Sequence, residues 1–130
     1  EEMEPEPPLF GRPGLERALV EMWQRRVELE LLLPIQFVFR HTHPAMAAME
    51  VPQVPDWGEA NRPRVDAAMR LIDENLRGRA FLCGDAFTIA DITGLVALDF
   101  MKVAKIAIPD ECTDLRRWHD ALRARPSAAA

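Results

Sequence analysis

The stretch FTIADITGLVAL, residues 87–98, places one aspartate inside a mostly apolar run. A buried carboxylate is costly unless neighbouring groups bond to it, so the residues around Asp91 should supply donors. Thr88, three residues earlier, is a preferred N-cap residue, and an acidic residue at the third helical position completes a capping box. The Asp91 carboxylate would then accept from the Thr88 backbone N–H and face the positive end of the helix dipole. The stretch therefore predicts a helix that begins directly after Thr88.

Two apolar residues flank this capping box in the positions of a hydrophobic staple. Phe87 precedes the N-cap and Ile92 is the fourth helical residue, so the two side chains can pack on each other. Phe87, Thr88, Asp91 and Ile92 are therefore predicted to form one structural unit. Because a capping carboxylate has already used its acceptor positions, we interpret Asp91 as a determinant of the fold and not as a catalytic acid.

A first long helix is predicted from the apolar periodicity that begins at Leu15. It should bend at Pro34, which lacks a backbone donor, and end at residues 42–44. Residues 44–60 contain three prolines and a glycine and should form a connection. The residues that share one apolar face of the first helix are Leu15, Leu19, Met22, Leu29 and Leu33.

Further helices are predicted over residues 60–77, 89–105 and 113–125. The residues expected to face the core are Val65, Met69, Ile72 and Leu76 in the first of these and Leu115, Trp118 and Leu122 in the last. The sequence RAFLCGD, residues 79–85, is the one candidate strand, and its helical surroundings favour a loop. The prediction is an all-α fold, a bundle of four to five helices over residues 13–130, after an acidic, proline-rich lead-in at residues 1–12.

The charge pattern argues against several classes of partner. The 130 residues carry a net charge of −5, and arginines alternate with glutamates instead of forming a basic block. Neither nucleic acid nor an anionic membrane is therefore expected as a partner, and no apolar run reaches bilayer length. Cys83 and Cys112 lack metal spacing and are interpreted as free thiols of a reducing compartment, which predicts a cytoplasmic location.

The spacing of three histidines and one aspartate bears on whether the chain holds a metal or catalytic site. His41 and His43 are two residues apart, which places them on different helix faces, and no third ligand is near, so no metal site is predicted. His119 follows Trp118 on a surface helix and should face solvent. Asp99 lies among apolar residues on the helical wheel and is expected to be an internal hydrogen-bond partner.

The order of four segments makes the chain resemble a known family. GDAFTIADITGLVAL resembles the capping box and staple of the C-terminal helical domain of bacterial cytosolic glutathione S-transferases. GRPGLERALVEMWQRRVELELLLP resembles the first long helix of that domain, residues 41–85 resemble its loop, second helix and turn, and LRRWHDALRARPSAAA is similar to its closing helix.

The resemblance implies that a thioredoxin-like N-terminal domain, absent from these residues, precedes the helical domain. That domain binds glutathione, the co-substrate, and supplies the catalytic Ser, Tyr or Cys. The helical domain supplies a wall of the pocket for a small apolar electrophile and much of the homodimer interface. No catalytic residue and no cofactor site of its own is expected in this segment.

Five residues are candidates for substrate binding under this resemblance: Met22, Arg25, Arg26, Leu31 and Ile35. Arg26 and Glu30, four residues apart on the apolar face, could instead form a partly buried ion pair at the interdomain or dimer surface. Arg25 lies where some classes place an acidic residue that reaches glutathione on the neighbouring subunit. Trp23 and Leu29, beside Met22, Leu31 and Ile35, could also line a pocket for an apolar electrophile, although an apolar stripe of this kind more often belongs to the core.

The predicted function is therefore the helical substrate-pocket and dimerisation domain of a glutathione S-transferase that conjugates glutathione to apolar electrophiles. The isolated segment is predicted to be inactive. Two alternatives stay open, a stand-alone helical module for protein association and a non-catalytic carrier of apolar ligands.

Overall fold

The computed structural model describes residue 3 and residues 5–128. Residues 1, 2 and 4 of the predicted lead-in and the last two alanines of the predicted domain lie outside the described residues. The described part contains no strand, and the predicted all-α bundle of four to five helices is confirmed. Its helices are α1 (Leu15–Arg26), α2 (Leu33–Thr42), α3 (Pro55–Leu76), α4 (Ile89–Phe100) and α5 (Thr113–Arg123).

The first long helix is continuous but changes its geometry halfway. A π-helical segment, Val27–Leu32, joins α1 to α2, and Pro34 lies at the start of α2. A bend at Pro34 itself was predicted, whereas the structure widens the helix in the turn before it. Since proline has no N–H to continue the α-helical ladder, a change of hydrogen-bond register beside it is physically reasonable.

Helix α3 begins five residues earlier than predicted. Pro55 occupies its first turn, where a missing N–H has no helical partner to lose, and Gly58 is buried within the helix. The prediction that both residues belong to a connection was wrong. The predicted core stripe of α3 is confirmed, since Val65, Met69, Ile72 and Leu76 are all buried.

Helix α4 ends at Phe100, five residues before the predicted end. The chain continues in turns to Lys105, which has a φ of 55°. The N–H of Ile106 donates to Met101 at 3.0 Å and that of Lys105 donates to Lys102 at 3.2 Å, the bond pattern of a Schellman motif. The Arg62 guanidinium donates to the carbonyls of residues 104 and 105 and thereby gives these two acceptors, at the end of the turns after α4, a hydrogen-bond partner.

Helices α3 and α5 hold each other at their ends. The Asp73 carboxylate of α3 accepts from the Leu115 N–H in the first turn of α5 at 2.8 Å. In return, the Arg117 guanidinium of α5 donates to the Leu76 carbonyl at the end of α3 at 3.0 Å. Both contacts satisfy backbone groups that a helix leaves without partners. Helix α5 ends at Arg123, two residues before the predicted end, and its predicted core residues are buried.

The centre of the bundle contains the Asp91 carboxylate, which has no exposed surface. Its Oδ2 accepts from the Thr88 N–H at 2.9 Å and from the Thr88 hydroxyl at 3.1 Å, within the capping box of α4. Its Oδ1 accepts from the Leu82 N–H and from the Trp118 indole N–H, both at 3.0 Å. A side chain at Gly94 would meet the Trp118 ring, since its Cβ would lie 2.3 Å from Cη2, so glycine lets α5 approach α4.

The second half of the lead-in packs on the bundle. The Leu9 carbonyl accepts from the Ile89 N–H at 3.1 Å, and Ile89 is the first residue of α4. Gly11 is buried against the backbone of Glu16 and Arg17. The Leu9 carbonyl thereby accepts from a donor that the N-terminus of α4 leaves without a helical partner. None of the described helices combines the length and the apolar character needed to cross a membrane.

Candidate functional site

Helix α1 has two apolar sides, and the packed bundle buries one of them. The buried residues along α1, the π-helical segment and α2 are Val20, Trp23, Val27, Leu31, Pro34, Ile35 and Val38. The other side carries Leu15, Leu19, Met22 and Leu29, which are between 41% and 76% exposed; we call these four residues the leucine face. Because a soluble domain rarely exposes a contiguous apolar stripe without use, the leucine face is a candidate contact surface.

Arg26 and Glu30 border the leucine face as a half-exposed ion pair. Arg26 Nε lies 3.6 Å from Glu30 Oε2, and the guanidinium lies 5.4 Å from the centre of the Trp23 ring. A cation over an aromatic face is attracted by the ring quadrupole, so two contacts hold this arginine against its own helix. The predicted ion pair is thus present, and its place at an interdomain or dimer surface stays a prediction.

Arg25 is engaged by two acidic residues of its own helical stretch. Its Nε lies 2.9 Å from Glu21 Oε1, and Nη1 lies 3.2 Å from Glu28 Oε2. The hydrogen bond to Glu21, together with the negative charge of both carboxylates, raises the pKa of Arg25. An incoming carboxylate would have to compete with these partners for the guanidinium.

The five predicted substrate-binding residues divide into two groups. Met22, Arg25 and Arg26 lie on the exposed part of α1. Leu31 and Ile35 have no exposed surface and pack in the core, so a ligand could reach neither of them. Trp23 is also buried in the core. A helical wheel could not separate the exposed candidates from the buried ones, because it shows apolar residues on both sides of this helix.

A second exposed apolar stripe lies on α4 and the turns after it. Its members are Ile92, Val96 and Val103, which we call the α4 face. The Thr93 hydroxyl, on the same helix, donates to the Gln24 side chain of α1 at 2.9 Å and so fixes α4 beside α1. The ring neighbours of Phe87 are Phe81 and the Arg125 guanidinium, and its predicted staple contact with Ile92 stays a prediction.

Asp99 and His119 form a pair that the sequence analysis missed. Asp99 Oδ1 lies 2.8 Å from His119 Nε2 and 3.8 Å from Arg123 Nε, which joins α4 to α5. The prediction that Asp99 is a hydrogen-bond partner is confirmed, but its side chain is 45% exposed and so is not internal. The His119 side chain is 13% exposed, so the prediction that it faces solvent was wrong. The contact joins residues 20 apart, and no spacing rule within one helix could have found it.

The other two histidines hold the connection between α2 and α3. His41 Nδ1 accepts from the Val54 N–H at 3.1 Å, and its Nε2 lies 3.8 Å from Glu50 Oε1. His43 Nδ1 accepts from the Ala45 N–H at 3.2 Å. Within residues 5–128, no three or more His, Cys, Asp or Glu side chains are grouped so as to hold a metal ion.

Both cysteines are free, and neither is activated as a nucleophile. Burial raises the pKa of the Cys83 thiol, and a long contact from the Thr88 hydroxyl, 3.8 Å, opposes this only in part. Burial also raises the pKa of the Cys112 thiol. Since the thiolate is the reactive form, neither residue is a candidate for covalent chemistry.

Comparisons with known proteins agree with this architecture. A family model described as "Glutathione S-transferase, C-terminal domain" matches residues 41–126. Glutathione S-transferase 2 of Saccharomyces cerevisiae is 37% identical over 122 residues, which are 93% of this chain and 52% of that protein. The chain thus spans about half the length of this curated relative.

Two solved structures share the fold over nearly the whole chain. The crystal structure of Gtt2 from Saccharomyces cerevisiae superposes with a TM-score of 0.92 at 35% identity, covering 98% of this chain and 62% of that one. A glutathione S-transferase domain-containing protein from Marinobacter aquaeolei VT8 superposes with a TM-score of 0.89 at 35% identity, covering 94% of this chain and 60% of that one.

Proposed function

The chain belongs to the glutathione S-transferase C-terminal domain family, and from this premise we propose that it is the substrate-pocket and dimerisation domain of a transferase. The reaction is the conjugation of glutathione to a small apolar electrophile. Glutathione and the group that activates its thiol belong to a thioredoxin-like domain, and the helical chain contributes apolar wall and association surface.

The observation that carries this proposal is the pair of exposed apolar stripes on a well-packed bundle. The leucine face and the α4 face each present large aliphatic side chains to solvent, although the core beneath them is complete. Association removes such area from water at about 25 cal/mol per Å², which favours a partner on each face. We assign Leu15, Leu19 and Leu29 of the leucine face to a second copy of the chain, and the α4 face to the thioredoxin-like domain.

The substrate-binding role rests with Met22, Arg25 and Arg26 in this proposal. Met22 supplies a flexible apolar surface that adapts to ligands of different shape. Arg25 and Arg26 lie at the border of the leucine face, where each is paired with a glutamate. Either arginine can bind a ligand only after the ligand replaces that glutamate. Leu31 and Ile35 support this surface from the core beneath it.

The isolated chain is proposed to be inactive. Millimolar glutathione binding requires about 4.1 kcal/mol, whereas an exposed arginine contributes roughly 0–1 kcal/mol to an ion pair. The described residues offer no activated thiol and no strand edge to cradle a tripeptide. We also propose a cytoplasmic location, which the free cysteines support. We propose a bacterial source, which the similarity to the Marinobacter aquaeolei VT8 protein favours.

The test is a conjugation assay on the chain alone and on the chain fused to a thioredoxin-like domain. A chloronitrobenzene electrophile and glutathione serve as substrates, and light scattering reports the oligomeric state. We expect turnover from the fusion only. In the fusion, Leu19→Glu on the leucine face should produce monomers, and Val96→Glu on the α4 face should uncouple the two domains.

Lys102→Glu, an exposed substitution outside both faces, is the matched control and should change neither property. Turnover by the chain alone would contradict the proposal. A fusion that folds but never turns over, while the chain captures other proteins through its exposed faces, would favour a protein-association module instead.

A further inference from the structure

The connection between α2 and α3, residues 44–54, is fixed to the end of α2 by polar side chains. The Gln53 side-chain amide donates to the Arg40 carbonyl at 2.8 Å and to the His43 carbonyl at 2.9 Å. The Arg40 guanidinium binds the carboxylate of Glu50. Because helical structure within the connection is limited to one short 3₁₀ turn, its position depends on these few contacts.

His41, in the last turn of α2, provides a further contact, and this one depends on the protonation of its ring. His41 Nδ1 accepts from the N–H of Val54, the residue directly before α3, at 3.1 Å. A neutral imidazole accepts at one ring nitrogen, whereas an imidazolium donates from both. After protonation the Val54 N–H would face a second N–H group, so the hydrogen bond between His41 and Val54 would be lost.

Packing limits the positions that the His41 ring can take. The His41 side chain is 12% exposed. A Cβ at Gly58 of α3 would lie 3.1 Å from the His41 Cβ, so α3 passes close to this side chain. The Phe37 ring centre lies 6.4 Å from that of His41 and 5.6 Å from that of Trp57. The ring is therefore held beside the Val54 N–H by both helices.

The charged groups around His41 come from all three packed elements. Glu50, in the connection, places Oε1 at 3.8 Å from His41 Nε2, and its carboxylate also binds Arg40 of α2. The first turns of α3 carry Asp56 and Glu59, and both are exposed to solvent. An imidazolium at His41 would therefore find an anionic partner in Glu50 on the side of the ring away from Val54.

We propose that His41 is a proton-sensitive contact that controls the connection between α2 and α3. The neutral ring binds the Val54 N–H and keeps the connection closed, whereas the imidazolium pairs with Glu50 and releases Val54. Histidine is the side chain that changes its charge close to physiological pH, so mild acid should open the connection locally while the core stays folded. The inference is independent of the proposed transferase function, because no residue assigned to that function takes part.

The experiment is amide hydrogen exchange measured by NMR on the ¹⁵N-labelled chain, at about pH 7.5 and at about pH 5.5, on either side of the usual range of histidine. Exchange rates are divided by the intrinsic rate at each pH, so that only protection by structure is compared. Protection of the Val54 amide should fall roughly tenfold at the lower pH, as expected for the loss of one hydrogen bond. The amide of Ile72, in the buried core of α3, should keep its protection.

Three variants test which side chain is responsible. His41→Asn keeps an acceptor that does not titrate in this range, since the amide oxygen can take the place of Nδ1, so Val54 should stay protected at both pH values. Glu50→Gln removes the partner of the imidazolium and should reduce the loss. His43→Asn is the matched control, because His43 Nδ1 also accepts from a backbone N–H, that of Ala45 at 3.2 Å, and Val54 should lose protection as in the wild type.

Three outcomes would overturn the proposal. One is equal protection of Val54 at both pH values in the wild type. Another is a loss in His41→Asn as large as that in the wild type, which would show that a different group responds to acid. The third is an equal loss at Val54 and Ile72, which would mean that acid unfolds the whole bundle and that no local opening exists.

Discussion

Helices α4 and α5 both begin with a carboxylate that accepts a backbone N–H, but the two carboxylates come from different places. The carboxylate at α4 is Asp91, three residues after its own N-cap Thr88. The carboxylate at α5 is Asp73, which lies on α3 and 42 residues away from the Leu115 N–H that it accepts from. The unpaired N–H groups at a helix start therefore receive a carboxylate from the local sequence in α4 and from a packed neighbouring helix in α5.

The two carboxylates also differ in what else they hold. Asp91 is fully buried and accepts four hydrogen bonds, two of them from the loop before α4 and from α5. Asp73 is half-buried and accepts one. The capping residue Asp91 thus also joins the loop before α4 to α5, and we call it a joint for this reason. Its removal should lower the free energy of unfolding by more than the loss of one cap does.

The largest expected effect is that of Asp91→Ala. The variant loses the cap, worth about 1 kcal/mol, and leaves buried donors at Leu82 and Trp118 unpaired at about 1–3 kcal/mol each, so it should lower the free energy of unfolding by about 3–7 kcal/mol. Urea unfolding followed by circular dichroism measures this loss. A loss below about 1 kcal/mol would show that Asp91 is no more than an ordinary cap.

A pH series should show the cost of burying the Asp91 carboxylate. Burial raises its pKa, against the effect of the hydrogen bonds it accepts, so the folded state holds the proton more tightly than the unfolded state does. The free energy of unfolding contributed by this group is therefore fully present below the unfolded pKa, about 3.9, and falls as the pH rises through the folded pKa.

The comparison of wild type with Asp91→Asn isolates this contribution, because all other groups titrate alike in both. Wild type should lose stability relative to the variant between pH 4 and neutral pH, by about 1.4 kcal/mol for each unit by which the pKa is raised. Unfolding midpoints at a series of pH values measure the difference. A difference that does not change with pH, or one of opposite slope, would refute the raised pKa.

A smaller effect is expected from Asp73→Ala. This variant loses the single hydrogen bond at the N-terminus of α5 and a favourable charge near the helix dipole, which together should cost about 1 kcal/mol. Asp66→Ala, which removes an exposed ion pair with Arg70 on the same helix, is the matched control. If Asp73→Ala cost as much as Asp91→Ala, the distinction between a cap and a joint would be lost.

The smallest effect should come from Asp99→Ala, which changes the same helix as Asp91→Ala. Asp99 binds His119 and Arg123, but its side chain is 45% exposed, so solvent and salt screen the pair. The expected loss is about 0.2–1 kcal/mol and should shrink further in 1 M salt. A loss that equals that of Asp91→Ala would mean that partners, and not burial, decide the importance of these carboxylates.

The sequence alone was sufficient for the features whose partners lie within one helical turn. It predicted the capping box at Thr88 and Asp91, the core stripe of α3 from Val65 to Leu76 and the buried side of α5. Helix ends were less accurate. Pro55 and Gly58 are typical of loops, but packing against α2 extends α3 through them, and the Schellman motif at Lys105 follows turns that a periodicity analysis counts as helix.

The candidate site depended more on the tertiary structure. Leu31 and Ile35 are as apolar as Leu19 and Met22, and only the packed bundle shows that the first two are core and the second two are surface. The hydrogen bond between Leu9 and Ile89 was not predicted at all, because the two residues are 80 positions apart by their numbers.

What the sequence by itself determined is therefore the set of helices, the α4 cap and the family to which the chain belongs. These follow from residues that interact across three or four positions, and such interactions can be predicted from the order of the residues alone. The tertiary structure decided which side of α1 is buried, which carboxylate caps α5 and which aspartate pairs with His119. Each of these choices joins residues of different helices, and helical periodicity describes one helix at a time.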